Sequence, residues 1–450
     1  MKFLAILRDS LRETIDTKVF YVMVGLSGLV TLFALGITFR PRPPEEALAW
    51  IVNVSVNRKA IDELTQENVE EPDPEQLFRL FIRMAGHAEA YRLLEVKALD
   101  DVGRPWESRY RLVLRRSSAL QKSPTEVEQD LKSRLGRLSS MRMVEVTDVK
   151  PRPYQGRRLG GLPLPGTGGI DYEVTVTPTT ATQHVWLHEV RILYGLVPVV
   201  EGERSLPLGF ALYFVESGLV IGLGGWVAIL VSTIITAFFI PNMLRKGTVD
   251  MLLVKPIHRP TLLVYKYLGG LLFILLNTAA AVFGVWLVLG LRSDIWATGF
   301  LWTILSLTFY FAILYAVSAL FGVLTQNPVA SILLTCGAWF FLFLVGWGFQ
   351  LVDQARVREE KAAAREHREP EPQGWFPQTI RVIHSALPRT RDLGLLNEQL
   401  LSSELLSASQ FTGRELEPTR LNWTETITVS LAFIAVMLGL ACWRFSTKDY

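Results

Sequence analysis

The chain has 450 residues, half of them hydrophobic, and its mean hydropathy is positive. This balance favours a polytopic membrane protein over a set of soluble domains, and a net charge of +3 gives no reason to expect a nucleic-acid partner. The two cysteines, Cys336 and Cys442, lie far apart within apolar runs, so neither a disulfide framework nor a cysteine-based metal site is supported.

The chain begins with an amphipathic segment and a first membrane span. Residues 1–18 have leucine and isoleucine at helical spacing opposite charged residues, which predicts a helix that lies in the membrane interface or extends the first span into the cytoplasm. Residues 19–39 carry no charge and predict the first transmembrane helix. The segment before this span is too long and too acidic for a signal peptide, so we expect the span to be retained.

A large polar block, residues 41–206, predicts an extracytoplasmic α+β domain inserted after the first span. A helix is predicted over residues 124–138, and the many prolines and glycines of residues 151–169 predict a long loop. Segments rich in β-branched and aromatic residues predict strands of a mostly antiparallel sheet at residues 110–115, 141–149, 172–178 and 185–200.

Two histidines of this block, His184 and His188, raise the question of a metal site. Their surroundings are strand-like, and residues four apart on a strand share a face but lie roughly 13 Å apart, too far to bind one ion. We therefore expect no metal site and interpret both histidines as ordinary core or surface residues.

Five further apolar runs predict a fold of six transmembrane helices with both termini in the cytoplasm. Gly218 and Gly222 form a small-xxx-small pair that predicts close helix packing, either within the chain or across a dimer interface. Glu216 is expected near the outer end of the second span, and Asn277 is the only strongly polar side chain inside the third. The five runs are residues 207–240, 267–291, 299–324, 329–352 and 426–443, and residues 444–450 form a cytoplasmic tail.

Residues 353–424 form a second polar insertion, which the alternation of spans places on the extracytoplasmic side. The rule that basic residues stay in the cytoplasm argues the other way, because basic side chains lie close to the end of the fifth span. These side chains are Arg356, Arg358, Lys361 and Arg365.

Residues 241–266 connect the second and third spans and are rich in lysine and arginine, which predicts a cytoplasmic hairpin. Within the hairpin, residues 248–254 predict a short helix that begins at Thr248, has Asp250 in its first turn and ends before Pro256. This helix is too apolar for a free loop, so it needs lipid headgroups or another protein to cover it.

The stretch GTVDMLLVKPIHRPTLLVYKYLGG resembles the signature of ABC-2 type transporter permeases, the membrane subunits of ATP-binding-cassette exporters. Asp250 stands where the family usually has glutamate, and Tyr265 where it often has glycine. The resemblance covers the six spans and the hairpin, with both polar insertions outside it. The matching residues are Gly247, Thr248, Leu252, Leu253, Lys255, Pro256, Arg259, Lys266, Gly269 and Gly270.

The resemblance implies that the hairpin docks on a cytoplasmic ABC ATPase subunit, which binds ATP and magnesium. It also implies a homodimer or a pairing with a second permease, a lipid environment and a place in the inner (plasma) membrane of a bacterium. The alternative is an ordinary basic loop that only fixes topology. The residues expected to make the docking contacts are Gly247, Thr248, Asp250, Leu252, Leu253, Lys255, Pro256 and Arg259.

No P-loop motif occurs in the chain, so we expect no cofactor bound by the chain itself and ATP hydrolysis on a separate subunit. Three other functions stay open. One is a mechanotransmitting ABC component that moves its outer domain without carrying a substrate across, and another is a membrane-anchored sensor or binding protein. An ion-driven carrier is disfavoured because charged residues inside the spans are nearly absent.

Overall fold

Long helices form one part of the molecule and antiparallel sheets form the other. The computed structural model describes residues 18–56, 91–100, 102–116, 125–126, 129, 144–154, 158–159, 162–163, 169–219, 222, 229–238, 240–241, 258–369, 374–405 and 423–447.

The helices include both long apolar segments and short connectors. In chain order they are α1 (Lys18–Leu35), α2 (Pro44–Val56), α3 (Thr182–Val185), α4 (Leu208–Ser217), α5 (Ile229–Thr236), α6 (Arg259–Ser293), α7 (Thr303–Thr325), α8 (Pro328–Glu366), α9 (Trp375–Ala386), α10 (Thr390–Leu405) and α11 (Trp423–Thr447).

The strands all lie between the first helix and the fourth. In chain order they are β1 (Thr38–Pro41), β2 (Tyr91–Ala98), β3 (Tyr110–Arg116), β4 (Val144–Tyr154), β5 (Arg158–Leu159), β6 (Leu162–Pro163), β7 (Gly169–Pro178), β8 (Leu187–Ile192), β9 (Val197–Val200) and β10 (Leu206–Pro207).

Four helices in the described part of the chain are long and apolar enough to cross a bilayer. They are α6, α7 with the 3-10 turn Thr298–Trp302 before it, α8 up to Asp353, and α11. These four coincide with the last four predicted spans, and they make the protein an integral, multi-pass membrane protein.

The first two predicted spans are described only in part or as shorter helices. Helix α1 ends at Leu35, four residues before the predicted end of the first span, because the chain turns at Gly36 and enters β1. The second span is represented by α4 and α5, between which residues 220–221 and 223–228 lie outside the described part. The total of six spans therefore stays a prediction.

Helices α1 and α6 run side by side in the same direction. Ser27 Oγ donates to Asn277 Oδ1 at 3.0 Å near the middle of both helices, and Arg292 donates to the carbonyl oxygen of Leu35 at 3.0 Å at their ends. The ends near Leu35 and Ser293 lie beside the sheets and are called the sheet end. The opposite ends, near Arg259 and Thr325, are called the hairpin end.

The smaller sheet has the order β1, β8, β10, and β9 also pairs with β8. All pairs are antiparallel, with Thr38 opposite Arg191 and Pro41 opposite His188. The predicted strand at residues 185–200 is therefore wrong as one element, because it consists of two strands joined by a turn at residues 193–196. Because β1 leads away from α1 and β8 runs back beside it, this turn lies next to the end of α1.

The larger sheet confirms the predicted antiparallel arrangement, with the order β2, β3, β7, β4. Alternate side chains of its strands, such as Leu112, Leu114 and Val174, are fully buried, as period-two alternation requires. They join Trp186 and side chains of α2 in one hydrophobic core.

Three details of this domain were not predicted correctly. Strand β4 continues to Tyr154, so the predicted loop at residues 151–169 starts too early, and β5 pairs with β6 inside it. An edge strand tolerates proline, since the outer N–H of such a strand needs no partner, and β4 is an edge strand. Strand β2 and helix α2 were missed. The predicted helix over residues 124–138 lies largely outside the described residues.

The second polar insertion packs at the sheet end only in part, since Leu393 and Leu396 of α10 pack on Ile313 in the middle of α7. Helix α8 continues past the membrane span to Glu366, and α10 returns to contact α4 and the turn before α7. A β-carbon at Gly209 would lie 2.4 Å from the carbonyl oxygen of Leu405, so α4 and α10 are in backbone contact. The sheet domain, the far end of α8 and the end of α10 therefore lie at one end of the bundle, and the side of the membrane that this end faces stays a prediction.

Candidate functional site

The predicted docking hairpin is described only at its two ends. Residues 242–257 lie outside the described part of the chain, and with them seven of the eight predicted docking residues. These seven are Gly247, Thr248, Asp250, Leu252, Leu253, Lys255 and Pro256. The eighth, Arg259, is the half-buried first residue of α6. Their docking role stays a prediction.

Both ends of the hairpin are fixed on one apolar cluster at the hairpin end. Ile240 enters it from one side, and Leu262 and Leu263 enter it from the other. The two ends of the hairpin are therefore held on the same packed surface. The remaining buried members come from α7 and α11 and are Ala319, Val323, Ala441 and Phe445.

Close contacts fix the geometry of this cluster, which we call the anchor cluster. A β-carbon at Gly322 of α7 would lie 3.3 Å from Cδ of Pro241, so this glycine lets the hairpin pass close to α7. On the other side, His258 has extended backbone angles and Pro260 occupies the first turn of α6. Proline is favoured there because the first N–H groups of a helix have no partner within it. His258 and Pro260 therefore define the residue at which α6 begins.

The Gly-Gly pair that closes the hairpin signature has a packing function. Gly269 and Gly270 are buried, and a β-carbon at Gly270 would lie 2.7–2.9 Å from ring and hydroxyl atoms of Tyr315. The Tyr315 ring is itself stacked against Tyr267 and Phe311, at centroid distances of 5.0 and 5.3 Å. Tyr267 also donates to the carbonyl oxygen of Ala312 at 2.8 Å. These contacts fix α6 against α7 just beyond the anchor cluster.

A cavity that is partly open to the outside lies farther along the same helices. Its walls come from α1, α5, α6 and α7 and are mostly apolar. Polar groups line one part, where Ser27 donates to the side-chain oxygen of Asn277 and Ser232 and Thr278 lie nearby. The sequence identified Asn277 as the only strongly polar side chain of the third predicted span. Its contact with Ser27 joins residues that are 250 positions apart, and no pattern in the sequence predicts it.

At the sheet end, one carboxylate connects the second insertion to the bundle. Glu404 of α10 accepts hydrogen bonds from the N–H of Thr298 at 2.8 Å and the N–H of Gly299 at 2.5 Å. These N–H groups open the 3-10 turn before α7, where such groups lack helical partners. The first insertion is joined to the same region by an Arg104–Asp294 ion pair and by Gln183, which donates to the Ser293 carbonyl at 2.9 Å.

A family model described as ABC-2 family transporter protein matches residues 5–450. The chain belongs to the ABC-2 transporter family. No curated protein and no solved structure matches the chain.

The match confirms the predicted family and corrects the extent of the resemblance. It runs through both polar insertions of this ABC-2 protein, so the expectation that the insertions lie outside the resemblance was wrong. The packing explains why, because the sheet domain and α10 share a hydrophobic core with α6 and the turn before α7. The insertions are part of one folded unit with the membrane helices.

The prediction that both histidines of the sheet domain lie on one strand was wrong. His184 is in the short helix α3, and His188 is in β8, where its Nδ1–H donates to the carbonyl oxygen of Trp186 at 2.8 Å. Burial lowers the pKa of both imidazoles, that of His188 to about 4. Among the residues that the structure describes, no group of three metal-ligating side chains occurs.

The predicted packing glycines of the second span show no close contact within the described part of this ABC-2 permease. A β-carbon at Gly218 or at Gly222 would have none of the described atoms within 4 Å. Packing of these glycines across a dimer interface stays a prediction. Glu216, nearby, is buried, and one of its carboxylate oxygens has no hydrogen-bond partner among the described residues.

Proposed function

We propose that this protein is the membrane-spanning subunit of an ABC exporter. A separate cytoplasmic ATPase subunit binds ATP and magnesium and docks on residues 241–266. The complete assembly has six spans in each permease and contains two permeases, identical or paired, in the inner membrane of a bacterium. Hydrolysis in the ATPase pushes on the hairpin and shifts the spans between inward-open and outward-open states.

The anchor cluster is the observation that carries this proposal. Ile240 and Leu263, on either side of the hairpin, are both buried against the ends of α7 and α11. A close-packed cluster of this kind deforms little, so a displacement of the hairpin is transmitted to the helices. A loop that only fixed topology would need no such attachment.

Helix α6 provides a path from the hairpin to the cavity. It runs without interruption from Arg259 to Ser293, a length of about 50 Å for 35 residues. Asn277 in the cavity wall lies halfway along it, and Ser293 at its far end contacts the sheet domain through Gln183. A tilt of α6 driven from the hairpin would therefore change the cavity and the sheet end together.

Co-purification with the ATPase subunit tests the proposal. Leu252→Asp together with Leu253→Asp places two charges on the apolar docking helix, and we expect at least a tenfold loss of bound ATPase, since burying an unpaired charge is costly. A matched control is Gln326→Asp with Val329→Asp, in the exposed turn between α7 and α8 at the same end. The proposal fails if the ATPase stays bound to the first variant or is lost equally from both.

A second candidate function is mechanical transmission to the sheet domain without transport. One hydrophobic core continues from the sheets into the membrane helices and includes Trp186, Leu289 and Phe300. A spin-label pair at Leu94 on β2 and at Val329 on α8 would report on it. A change of distance on adding ATP in the assembled complex, without uptake of any substrate by vesicles, favours this candidate. An unchanged distance excludes it.

A further inference from the structure

The turn between β8 and β9 exposes apolar side chains where a soluble hairpin would have polar ones. Leu193, Tyr194 and Leu196 are 53 %, 62 % and 81 % exposed, and Val197 and Val199 of β9 are exposed as well. The first three turn residues all have positive φ, at 52°, 59° and 88° for Leu193, Tyr194 and Gly195. Tight turns of this kind normally use asparagine, aspartate or glycine there. We call residues 193–199 the apolar turn.

The apolar turn lies at the level where the membrane helices end. The N–H of Tyr194 donates to the carbonyl oxygen of Gly36 at 2.7 Å, directly after α1. Leu35, one residue earlier, accepts the hydrogen bond of Arg292 from the end of α6. Since α6 is one of the four helices long enough to cross a bilayer, the turn lies at the bilayer boundary on the sheet side.

The exposed apolar surface of α1 leads directly to this turn. Leu29, Leu32 and Phe33 are exposed and have the spacing of one helix face. Gly36 continues the same spacing, and a β-carbon there would lie 3.6 Å from the N atom of Leu193. The turn is therefore seated on top of an exposed apolar stripe, and nothing in the described part of the chain covers either of them.

Other residues at the sheet end are of the types found at membrane–water interfaces. Trp296, Trp302 and Trp423 are exposed near the ends of α6, α7 and α11 at the sheet end, where tryptophan is enriched in membrane proteins. Arg40 is exposed one strand away from the turn, with a guanidinium nitrogen 3.8 Å from the position of a β-carbon at Gly195. An arginine at this level suits lipid phosphate groups.

We propose that the apolar turn inserts into the headgroup and acyl boundary of the leaflet at the sheet end. Leu193, Tyr194 and Leu196 contact lipid, and Arg40 lies among the headgroups. The insertion ties the smaller sheet to the bilayer surface. This inference does not depend on the ATPase or on any transported substrate.

Fluorescence quenching in lipid nanodiscs tests the insertion. In full-length protein with Cys336→Ala and Cys442→Ala, a bimane label is placed at Leu196→Cys, and the matched control carries it at Leu94→Cys on β2. A phosphatidylcholine with a nitroxide near its headgroup is expected to quench the label at 196 about threefold more than the label at 94, because an inserted side chain reaches 5–10 Å into this region. Iodide in the buffer is expected to show the reverse order.

Each other outcome overturns the proposal. If iodide quenches positions 196 and 94 equally and the lipid quencher affects neither, the turn is in water. If neither quencher reaches position 196, a protein surface such as a second copy of the chain covers it. Val199→Cys, two residues into β9, repeats the measurement in case the first labelled variant is poorly folded, and a thermal unfolding curve identifies that case.

Discussion

Gly270 shows what a single residue of the hairpin signature does. The signature includes this glycine but gives no physical reason for it. The reason is the ring of Tyr315, 45 positions away in the sequence, which occupies the space that a side chain at position 270 would need. No local pattern links these two residues, so the sequence identifies Gly270 as part of a motif but does not predict its contact with Tyr315.

We expect Gly270→Ala to destabilise the protein by about 1–3 kcal/mol, because the added methyl group meets a ring that has no room to move. Tyr315 is fully buried and stacks against two other rings, so we expect the backbones of α6 and α7 to separate. The thermal unfolding midpoint in detergent measures this loss.

Gly439→Ala is the matched control, since it also changes a glycine inside a membrane helix. No described atom lies within 4 Å of a β-carbon at this position. Alanine favours helix more than glycine does, so we expect no loss or a gain of up to about 1 kcal/mol. Equal effects at both positions would show that the Tyr315 contact does not limit the packing of α6.

His188 makes the sheet domain sensitive to acid. Its pKa is about 4 in the folded protein because burial disfavours the charged imidazole, against the ordinary value of 6.5 in the unfolded chain. Its contribution to stability is therefore complete above pH 6.5 and is lost as the pH falls from 6.5 towards 4. Between pH 7 and pH 5 the loss from this residue is about 2 kcal/mol.

We expect His188→Phe to flatten the dependence of the unfolding midpoint on pH between 7 and 5, because phenylalanine does not titrate. The ring contact with Trp106, at a centroid distance of 5.6 Å, can be kept. His367→Asn, at the exposed end of α8, is the control. Its unfolding midpoint should depend on pH in the same way as that of the wild type. Identical slopes for all three proteins would contradict the assignment to His188.

At the scale of elements, the sequence predicts what depends on local pattern. Four long apolar runs became helices at the expected places, and the strands β3, β4 and β7 were found from their β-branched residues. Strand β2 was missed because adjacent Leu93 and Leu94 break the alternation, and the structure has a register shift there, between Leu93 and Glu95. Helix α2 has a usable signal that was overlooked, with Pro44 at its start and Glu45 and Glu46 in its first turn.

The position of α10 could not be predicted, because it rests on a few long-range contacts. Glu404 accepts from groups more than 100 positions away, and Ser306 of α7 donates to the side-chain oxygen of Asn397 at 2.6 Å. The basic residues near the end of α8 even favoured a cytoplasmic position for the second insertion, because basic residues are enriched in cytoplasmic loops. The sequence shows that such polar side chains exist but not which groups they meet.

Glu404→Gln should loosen α10 at its contact with the turn before α7. The amide nitrogen of glutamine cannot accept a hydrogen bond, so an N–H of Thr298 or Gly299 loses its partner, at a cost of about 1–3 kcal/mol. Hydrogen exchange at residues 298–301 is expected to speed up at least tenfold. Glu46→Gln, which removes an exposed ion pair with Arg42, is the control and should leave this exchange unchanged; equal protection in both variants would contradict the role of Glu404.

At the scale of the whole molecule, the two ends of the bundle have different characters. The sheet end holds the sheet domain, the extension of α8 and the end of α10, and the hairpin end holds the anchor cluster and the turn between α7 and α8. The proposed function requires the hairpin end to face the cytoplasm. Labelling of single cysteines from one side of the membrane tests this, with Cys336→Ala and Cys442→Ala as the background.

We expect a membrane-impermeant maleimide to label Leu94→Cys on β2 and Glu369→Cys, just after α8, in bacterial cells with a permeabilised outer membrane, and Val329→Cys on α8 only in inverted membrane vesicles. All three side chains are exposed, so access and not burial decides the reaction. Val329 is the internal control, because it alone lies at the hairpin end. If the labels at 94 and 369 react from opposite sides, the shared position of the sheet domain and the extension of α8 is wrong. If both react only in inverted vesicles, the hairpin faces away from the ATP of the cytoplasm, and an ATPase subunit cannot dock on it.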